Sequence, residues 1–310
     1  METAARPPFT RPQDFYKLRD FGQKFEATIA FLRQYGGNLA RVLLPVLIPV
    51  LAALVLLAGS GVVGNFGKVN PNDEEARQTL TSPLLWIAVL MFVAAYLLLI
   101  ALLYGFVKRR MENPDPLAVI SSAEVWADVR GRLLPLFAQT VLAYICVMIG
   151  MVLLVIPGLY LGLALLLLPA IVLFERGPEA SSFGLSRALS LIRGKWWSTC
   201  GLVVVGSMAA ALVAVVVSGL VALLLSLGGL DMASGTGLLT VQLVQNLVSF
   251  ALAPFTYLLL LFQYFNLVER RDGVSLQWKV EQLGRPASAA APATDADGSL
   301  FRPSYGDQTL

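Results

Sequence analysis

Residues 133–174 read LLPLFAQTVLAYICVMIGMVLLVIPGLYLGLALLLLPAIVLF and contain no charged side chain. A single straight helix over this stretch would be about 63 Å long, roughly twice the hydrocarbon thickness of a bilayer. Near its middle lies Pro157-Gly158, a dipeptide that is typical of turns. The stretch therefore predicts two membrane helices joined by a tight hairpin at Pro157-Gly158. A re-entrant hairpin is the alternative, because residues 158–174 make a helix of only about 25 Å.

Four other uncharged apolar stretches, residues 42–63, 84–107, 196–230 and 232–268, are each long enough for one membrane crossing. Across the chain 57% of residues are hydrophobic and 14% are charged, whereas about a quarter of the residues are charged in a soluble domain. Backbone polar groups in hydrocarbon need internal hydrogen bonds, which helices of this length provide. We predict an all-α integral membrane protein with six transmembrane helices arranged as three helical hairpins.

Basic residues alternate between the loops. The N-terminal segment, the second loop, the fourth loop and the tail hold seven, five, four and five Lys or Arg residues. The first loop holds only Lys68 and Arg77, and the third and fifth loops hold none. Because cytoplasmic loops retain positive charge, this pattern predicts a multi-pass protein of the bacterial cytoplasmic (inner) membrane with both termini in the cytoplasm. The net charge of +3 is small, so nucleic acid is not expected as a partner.

A cytoplasmic amphipathic helix is predicted before each hairpin, at residues 15–32, 122–132 and 181–197. Each has Lys or Arg on or beside its polar face and is expected to lie along the membrane surface. The apolar side of the first helix consists of Phe15, Leu18, Phe21, Phe25, Ile29 and Leu32.

Three regions of the chain follow from these patterns. Residues 1–38 form a cytoplasmic N-terminal segment with an amphipathic helix, and residues 39–284 form the six-span domain with its interfacial helices. Near the end of that domain, one further short helix is predicted from the apolar spacing of Leu276, Val280 and Leu283. Residues 285–310 are rich in Ala, Pro, Ser, Asp and Gly, which predicts a disordered cytoplasmic tail.

Polar residues within the predicted spans form a candidate cluster. The sixth span contains four of them on neighbouring faces, and the third span contains two candidate partners; the six are Gln242, Gln245, Asn246, Ser249, Gln139 and Thr140. Neutral polar groups in membrane helices either form hydrogen bonds between helices or line a substrate path. Both interpretations are open at this point.

The fifth predicted span carries a small residue at every fourth position, at Gly206, Ala210, Ala214, Ser218 and Ala222. Small residues allow helix backbones to approach closely. The stripe therefore predicts a helix contact, either within this chain or with a second copy of it.

Residues that carry chemistry are scarce in this chain. There is no His, no P-loop and no GxGxxG motif. The lack of His removes the commonest general base and the commonest metal ligand. We expect no enzymatic activity, no cofactor and no metal. No Asp, Glu, Lys or Arg lies within a span, which also disfavours ion-coupled transport.

Residues 166–200, LLLPAIVLFERGPEASSFGLSRALSLIRGKWWSTC, resemble a motif of bacterial membrane proteins related to the membrane domain of glycerophosphoryl diester phosphodiesterases. In that motif a Glu ends one span, and an Ala/Ser-rich amphipathic helix with an Arg leads to an aromatic start of the next. Residues 262–284, FQYFNLVERRDGVSLQWKVEQLG, resemble the closing segment of the family. Residues 14–45, DFYKLRDFGQKFEATIAFLRQYGGNLARVLLP, resemble the opening of a six-span subgroup from the Bacteroidetes lineage.

The activity of that phosphodiesterase family resides in a separate soluble barrel with catalytic His and Glu residues. This chain contains no His, so no catalytic residue is carried over. The resemblance implies a stand-alone version of the membrane part.

Two hypotheses for function remain. The first is a non-enzymatic membrane scaffold or lipid-associated protein, whose partners are membrane lipids and either a second copy of the chain or another membrane protein. The second is a permease for a small neutral or lipid-like substrate, lined by Gln139, Gln242, Gln245 and Asn246.

Overall fold

The structure is a computed structural model that describes residues 9–59, 74, 78, 81–113, 115, 117–175, 184–229, 231 and 234–284. Within these ranges nearly every residue is helical and none lies in a β-strand, which confirms the predicted all-α fold. The predicted disordered tail, residues 285–310, lies outside the described residues.

Twelve α-helices are seen in the described ranges: α1 Pro12–Phe15, α2 Phe21–Leu43, α3 Leu47–Gly59, α4 Pro83–Glu112, α5 Ser122–Val129, α6 Leu133–Leu153, α7 Val155–Leu165, α8 Leu168–Phe174, α9 Leu185–Ile192, α10 Trp196–Leu227, α11 Gly235–Asp272 and α12 Val274–Gly284. Single turns of 3₁₀ helix join α2 to α3 and α5 to α6, at Leu44–Val46 and Arg130–Arg132.

Six helical segments are long and apolar enough to cross a membrane: span 1 Phe21–Leu56, span 2 Pro83–Glu112, span 3 Ser122–Leu153, span 4 Val155–Phe174, span 5 Trp196–Leu227 and span 6 Gly235–Asp272. Consecutive spans pack against each other most extensively, span 1 with span 2, span 3 with span 4, and span 5 with span 6. The protein is therefore a multi-pass membrane protein built from three helical hairpins, as predicted.

The turn between spans 3 and 4 lies three residues earlier than predicted. Leu154 has extended backbone angles, φ −158° and ψ 130°, and separates α6 from α7. Pro157 instead lies in the first turn of α7, where its missing N–H would have no helical partner in any case. Gly158 contacts α6 so closely that a Cβ there would lie 2.6 Å from the backbone N of Met151. The dipeptide marks the start of a helix here and not the turn.

The first amphipathic helix begins later and extends further than its sequence pattern predicts. Asp20 caps α2 by accepting a hydrogen bond from the Gln23 N–H at 2.8 Å, so Phe15 belongs to the separate helix α1. The buried side of α2 is also different, because it continues along the helix towards α3; it includes Phe31, Tyr35, Leu39 and Val42. Three of the predicted apolar residues are exposed instead, namely Leu18, Phe21 and Ile29.

The other predicted amphipathic segments contain shorter helices. The second corresponds to α5 and the 3₁₀ turn that follows it. Within the third, α9 covers Leu185–Ile192, residues 193–195 form a turn, and Trp196 already begins span 5. The predicted start of that third segment, residues 181–183, lies outside the described residues.

The buried core is concentrated at one end of the bundle. This end carries Arg110, Arg132, Arg187 and Arg271 and is called the basic end below. The second half of span 2 is buried almost without interruption from residue 97 to 107, and span 6 is buried from residue 258 to 269. Toward the other end the helices expose most of their apolar side chains, as expected for surfaces that face lipid.

Candidate functional site

A group of four side chains at the basic end joins three distant parts of the chain. The Arg187 Nε donates to both carboxylate oxygens of Glu175 at 3.0 Å, and its Nη atoms donate to the carboxylate of Asp272. The Tyr264 hydroxyl donates to Glu175 Oε1 at 3.0 Å. We call Glu175, Arg187, Tyr264 and Asp272 the ionic centre.

Helix ends position the members of the ionic centre. Glu175 directly follows α8, and Asp272 is the last residue of α11, which ends at Gly273 in the left-handed conformation, φ 63°. Gly184 precedes α9 with φ 58°, which places Arg187 in the first turn of that helix. A left-handed backbone favours Gly, so both chain reversals depend on these glycines.

Burial and charge have opposite effects on Arg187. Burial by itself lowers the pKa of the guanidinium, but hydrogen bonds with Asp272 and the charge of Glu175 raise the pKa above its ordinary value. Burial and then the charge of Glu175 raise the pKa of the nearby Tyr16 hydroxyl. The Arg187 guanidinium therefore stays charged and links the helices of the ionic centre.

A second group of charges lies beside the ionic centre and contains only cations. Lys24 lies in the first turn of α2 and is 3% exposed. Lys195 and Arg270 are close enough for their charges to act on it, as is Arg19. Among the described residues no carboxylate forms an ion pair with Lys24, Lys195 or Arg270. We call these three residues the basic cluster.

The nearest acidic residue does not neutralise the basic cluster. Asp20 acts electrostatically on Lys24, but its carboxylate caps α2 through Gln23. Arg19 is held elsewhere, since its Nη1 donates to the Phe15 carbonyl at 2.7 Å and its guanidinium lies 5.1 Å from the Phe262 ring centroid. Lys24 is thus a buried cation that forms no ion pair among the described residues, whereas Lys195 is half-buried and Arg270 is exposed. Burial of a cation is disfavoured unless an anion is present.

Aromatic side chains border the basic cluster. Phe21 is half exposed and lies 5.4 Å from Phe25, centroid to centroid, and Phe25 in turn contacts Phe255 of span 6. Trp196 and Trp197 follow Lys195, and Trp197 is 81% exposed. Aromatic residues next to Lys and Arg are typical of the membrane–water interface.

Further polar contacts fix the helices of the basic end. Asn38 of α2 exchanges two hydrogen bonds with the backbone of Ile120, at 2.8 and 3.0 Å. Arg132 and Lys108 both donate to the carbonyl of Leu173, at 2.9 and 3.2 Å, where cations complement the C-terminal end of α8. These contacts rigidify the end at which both charged groups lie.

The structure places the predicted polar residues at separate positions. Gln139 is buried, and its Oε1 would be 3.6 Å from a Cβ added at Gly184, near the basic end. The Thr140 hydroxyl donates to the carbonyl of Leu136 in its own helix. In span 6 Gln245 accepts a hydrogen bond from Ser218 of span 5.

The other three predicted polar residues lie on span 6, where Asn246 and Ser249 are half-buried and Gln242 is exposed. The Ser218–Gln245 contact is a hydrogen bond between helices, which is one of the two roles expected for such amides.

The small-residue stripe of span 5 faces span 6 of the same chain. Gly206, Ala214 and Ser218 are buried, whereas Ala210 and Ala222 are partly buried. A Cβ added at Gly206 would lie 2.5 Å from Leu259 Cδ2 of span 6, so the small residue permits a close approach. Most other side chains of span 5 are exposed.

Sequence reasoning did not single out the ionic centre or the basic cluster. The family-like stretches contain a usable signal, because Glu175 and Arg187 fall in residues 166–200 and Asp272 falls in residues 262–284. Lys24 and Arg19 fall in the third stretch, residues 14–45. The structure brings the three stretches together at the basic end. Comparisons of this chain with family models, with curated proteins and with solved structures gave no match.

Proposed function

We propose that this protein is a non-enzymatic scaffold of a bacterial inner membrane that binds anionic lipid of the cytoplasmic leaflet through its basic cluster. The observation that carries the proposal is Lys24, which is 3% exposed, forms no ion pair with a carboxylate of the described residues and is acted on by the charges of Arg270 and Lys195. The predicted cytoplasmic side of the basic end places this cluster at the leaflet that contains most anionic lipid.

Electrostatics favour a phosphate headgroup as the missing counter-charge. A Lys or Arg near an anionic leaflet contributes about 1 kcal/mol of attraction, and the basic cluster contains three such residues. Lys24 is held on a helix whose position is fixed by Asn38 and by its buried aromatic face, so the backbone that carries it is already ordered before binding.

The ionic centre supports this site by fixing the helices that carry it. Arg270 lies two residues before Asp272, and Lys195 follows α9, which contains Arg187. Arg271 also donates to the carbonyl of Ser190 on α9. These contacts join the last turn of α11, which carries Arg270, to helix α9, which precedes Lys195.

A lipid-binding measurement on the full-length protein tests the proposal. Native mass spectrometry of the detergent-solubilised protein would compare retention of phosphatidylglycerol with retention of phosphatidylcholine. The triple variant Lys24→Gln, Lys195→Gln, Arg270→Gln should lose most of its preference for the anionic lipid.

A control variant with the same change in net charge, Arg33→Gln, Arg41→Gln, Arg130→Gln, alters three exposed residues that lie apart from the cluster. This variant should keep the preference. An equal loss in both variants would show that only total charge matters, and an unchanged triple variant would refute the site.

A further inference from the structure

The hairpin formed by α6 and α7 has an unexpected position relative to the basic end. Tyr160 of α7 stacks on Trp196, with ring centroids 6.1 Å apart and planes inclined by 9°. Trp196 begins span 5 immediately after Lys195, a member of the basic cluster. Tyr160 therefore lies within side-chain reach of the basic end.

A hairpin aligned with the bundle axis would not bring these residues together. Tyr160 precedes Glu175 by 15 residues, so a straight helix along that axis would place it about 22 Å from the ionic centre. The stacking on Trp196 indicates that α7 is inclined to the bundle axis, and the interruption at Leu166 and Leu167 between α7 and α8 permits this change of direction.

Contacts along α9 support the same orientation. Helix α9 lies at the level of the last turn of α11, because Arg187 and Ser190 both contact residues 271–272. The residues that flank α9 on its two sides contact span 4 at different points. Gly184 lies against Leu168 and Ile171, whereas Trp196 lies against Tyr160. Helices α7 and α9 also pack against each other, so α7 runs beside a helix of the basic end.

The tip of the hairpin is apolar. From residue 147 to 174 Tyr160 is the only residue with a polar side-chain group, and the tip residues Val152 and Ile156 are each 81% exposed. In contrast, the turn between spans 5 and 6 contains Asp231 and Ser234. An exposed turn without polar side chains is suited to hydrocarbon and not to water.

We propose that α6 and α7 form a wedge that enters the bilayer from the basic end and returns to the same end, with Leu154 among the acyl chains. Spans 3 and 4 are long enough to cross, but in this arrangement they occupy one leaflet and the bilayer centre. The predicted sides of both termini are unchanged, because a hairpin that does not cross leaves the segments on either side in the same compartment. The inference is independent of the anionic-lipid site.

Cross-linking in membranes tests the wedge. In the full-length chain with Cys146→Ala and Cys200→Ala, a short bifunctional maleimide should join Tyr160→Cys to Trp196→Cys. It should not join Tyr160→Cys to Leu227→Cys, because Leu227 lies at the opposite end of span 5, about 46 Å from Trp196 along the helix. The pair Ser190→Cys and Arg271→Cys, in contact at the basic end, serves as the positive control.

Cross-linking of Tyr160→Cys to Leu227→Cys would overturn the wedge, and so would failure of the Trp196 pair when the control pair reacts. If replacement of Tyr160 prevents folding, the depth of a nitroxide at Leu154→Cys decides the question. A position near the bilayer centre supports the wedge, and a position at the headgroups opposite the basic end refutes it.

Discussion

Arg187 links separate segments of the chain at the basic end. It contacts Glu175 from span 4 and Asp272 from span 6, while Tyr264 satisfies the same Glu175 carboxylate. Removal of the cation would leave two carboxylates close together in a site with little water. A buried ion pair adds little net stability to the fold, but removal of one partner is strongly destabilising because the other charge stays buried without a partner.

The variant Arg187→Gln should lower the free energy of unfolding by about 2 kcal/mol, less than for a fully buried pair because Asp272 keeps some contact with solvent. Thermal unfolding of the detergent-solubilised protein measures the change. The exposed Arg33→Gln variant is the control and should unfold like the parent. Equal stability of Arg187→Gln and the parent would show that the ionic centre does not hold the helices together.

Asn38 makes a comparable contribution through neutral hydrogen bonds. The variant Asn38→Ala should lose about 1–3 kcal/mol, because the N–H and carbonyl of Ile120 both lose their partner. The same unfolding measurement applies, with Arg41→Ala on an exposed position of α2 as the control. A loss no larger than that of the control would contradict the two-bond contact.

At the scale of helices, the long apolar spans could be predicted because span length and charge content are local properties of the sequence. The turn at Leu154 could not, since Pro157-Gly158 fits both a turn and the first turn of a helix. The buried face of α2 was also missed, because it depends on contacts with α4 and α11, which are distant in the chain.

Two glycines of α7 provide a matched test of the hairpin packing. The variant Gly158→Ala should destabilise the protein by about 1–3 kcal/mol, because the new Cβ would lie 2.6 Å from the Met151 backbone N. Gly162→Ala places its Cβ 3.8 Å from Val147 and should be neutral or slightly stabilising, since Ala favours helix over Gly. Similar unfolding temperatures for the two variants would argue against the close approach of α6 and α7 at Gly158.

At the scale of the whole molecule, the basic end combines the tightest packing with nearly all of the described ion pairs. The ionic centre escaped prediction because its members are far apart in the chain; Arg187 and Asp272 are separated by 85 residues. The basic cluster escaped for the same reason, although the charge of each loop was evident from the sequence. Local patterns predicted the membrane helices, and tertiary contacts determined the sites.

The sidedness of the basic end follows from the distribution of Lys and Arg and can be measured in intact cells. In a background with Cys146→Ala and Cys200→Ala, Ser234→Cys and Asn72→Cys should react with an impermeant maleimide. Ser122→Cys should react only after the cells are opened. Labelling of Ser122→Cys in intact cells would contradict the predicted orientation. The basic cluster would then face the outer leaflet and not the cytoplasmic leaflet that contains most anionic lipid.

The affinity of the protein for anionic lipid tests the proposed function most directly. Titration of the purified full-length protein with short-chain phosphatidylglycerol should give a Kd about five-fold higher for Lys24→Gln than for the parent, as expected for one Lys that contributes about 1 kcal/mol. Lys17→Gln, an exposed residue of the same segment, should leave the Kd unchanged. Equal Kd values for Lys24→Gln and the parent would contradict an anionic-lipid site built around Lys24.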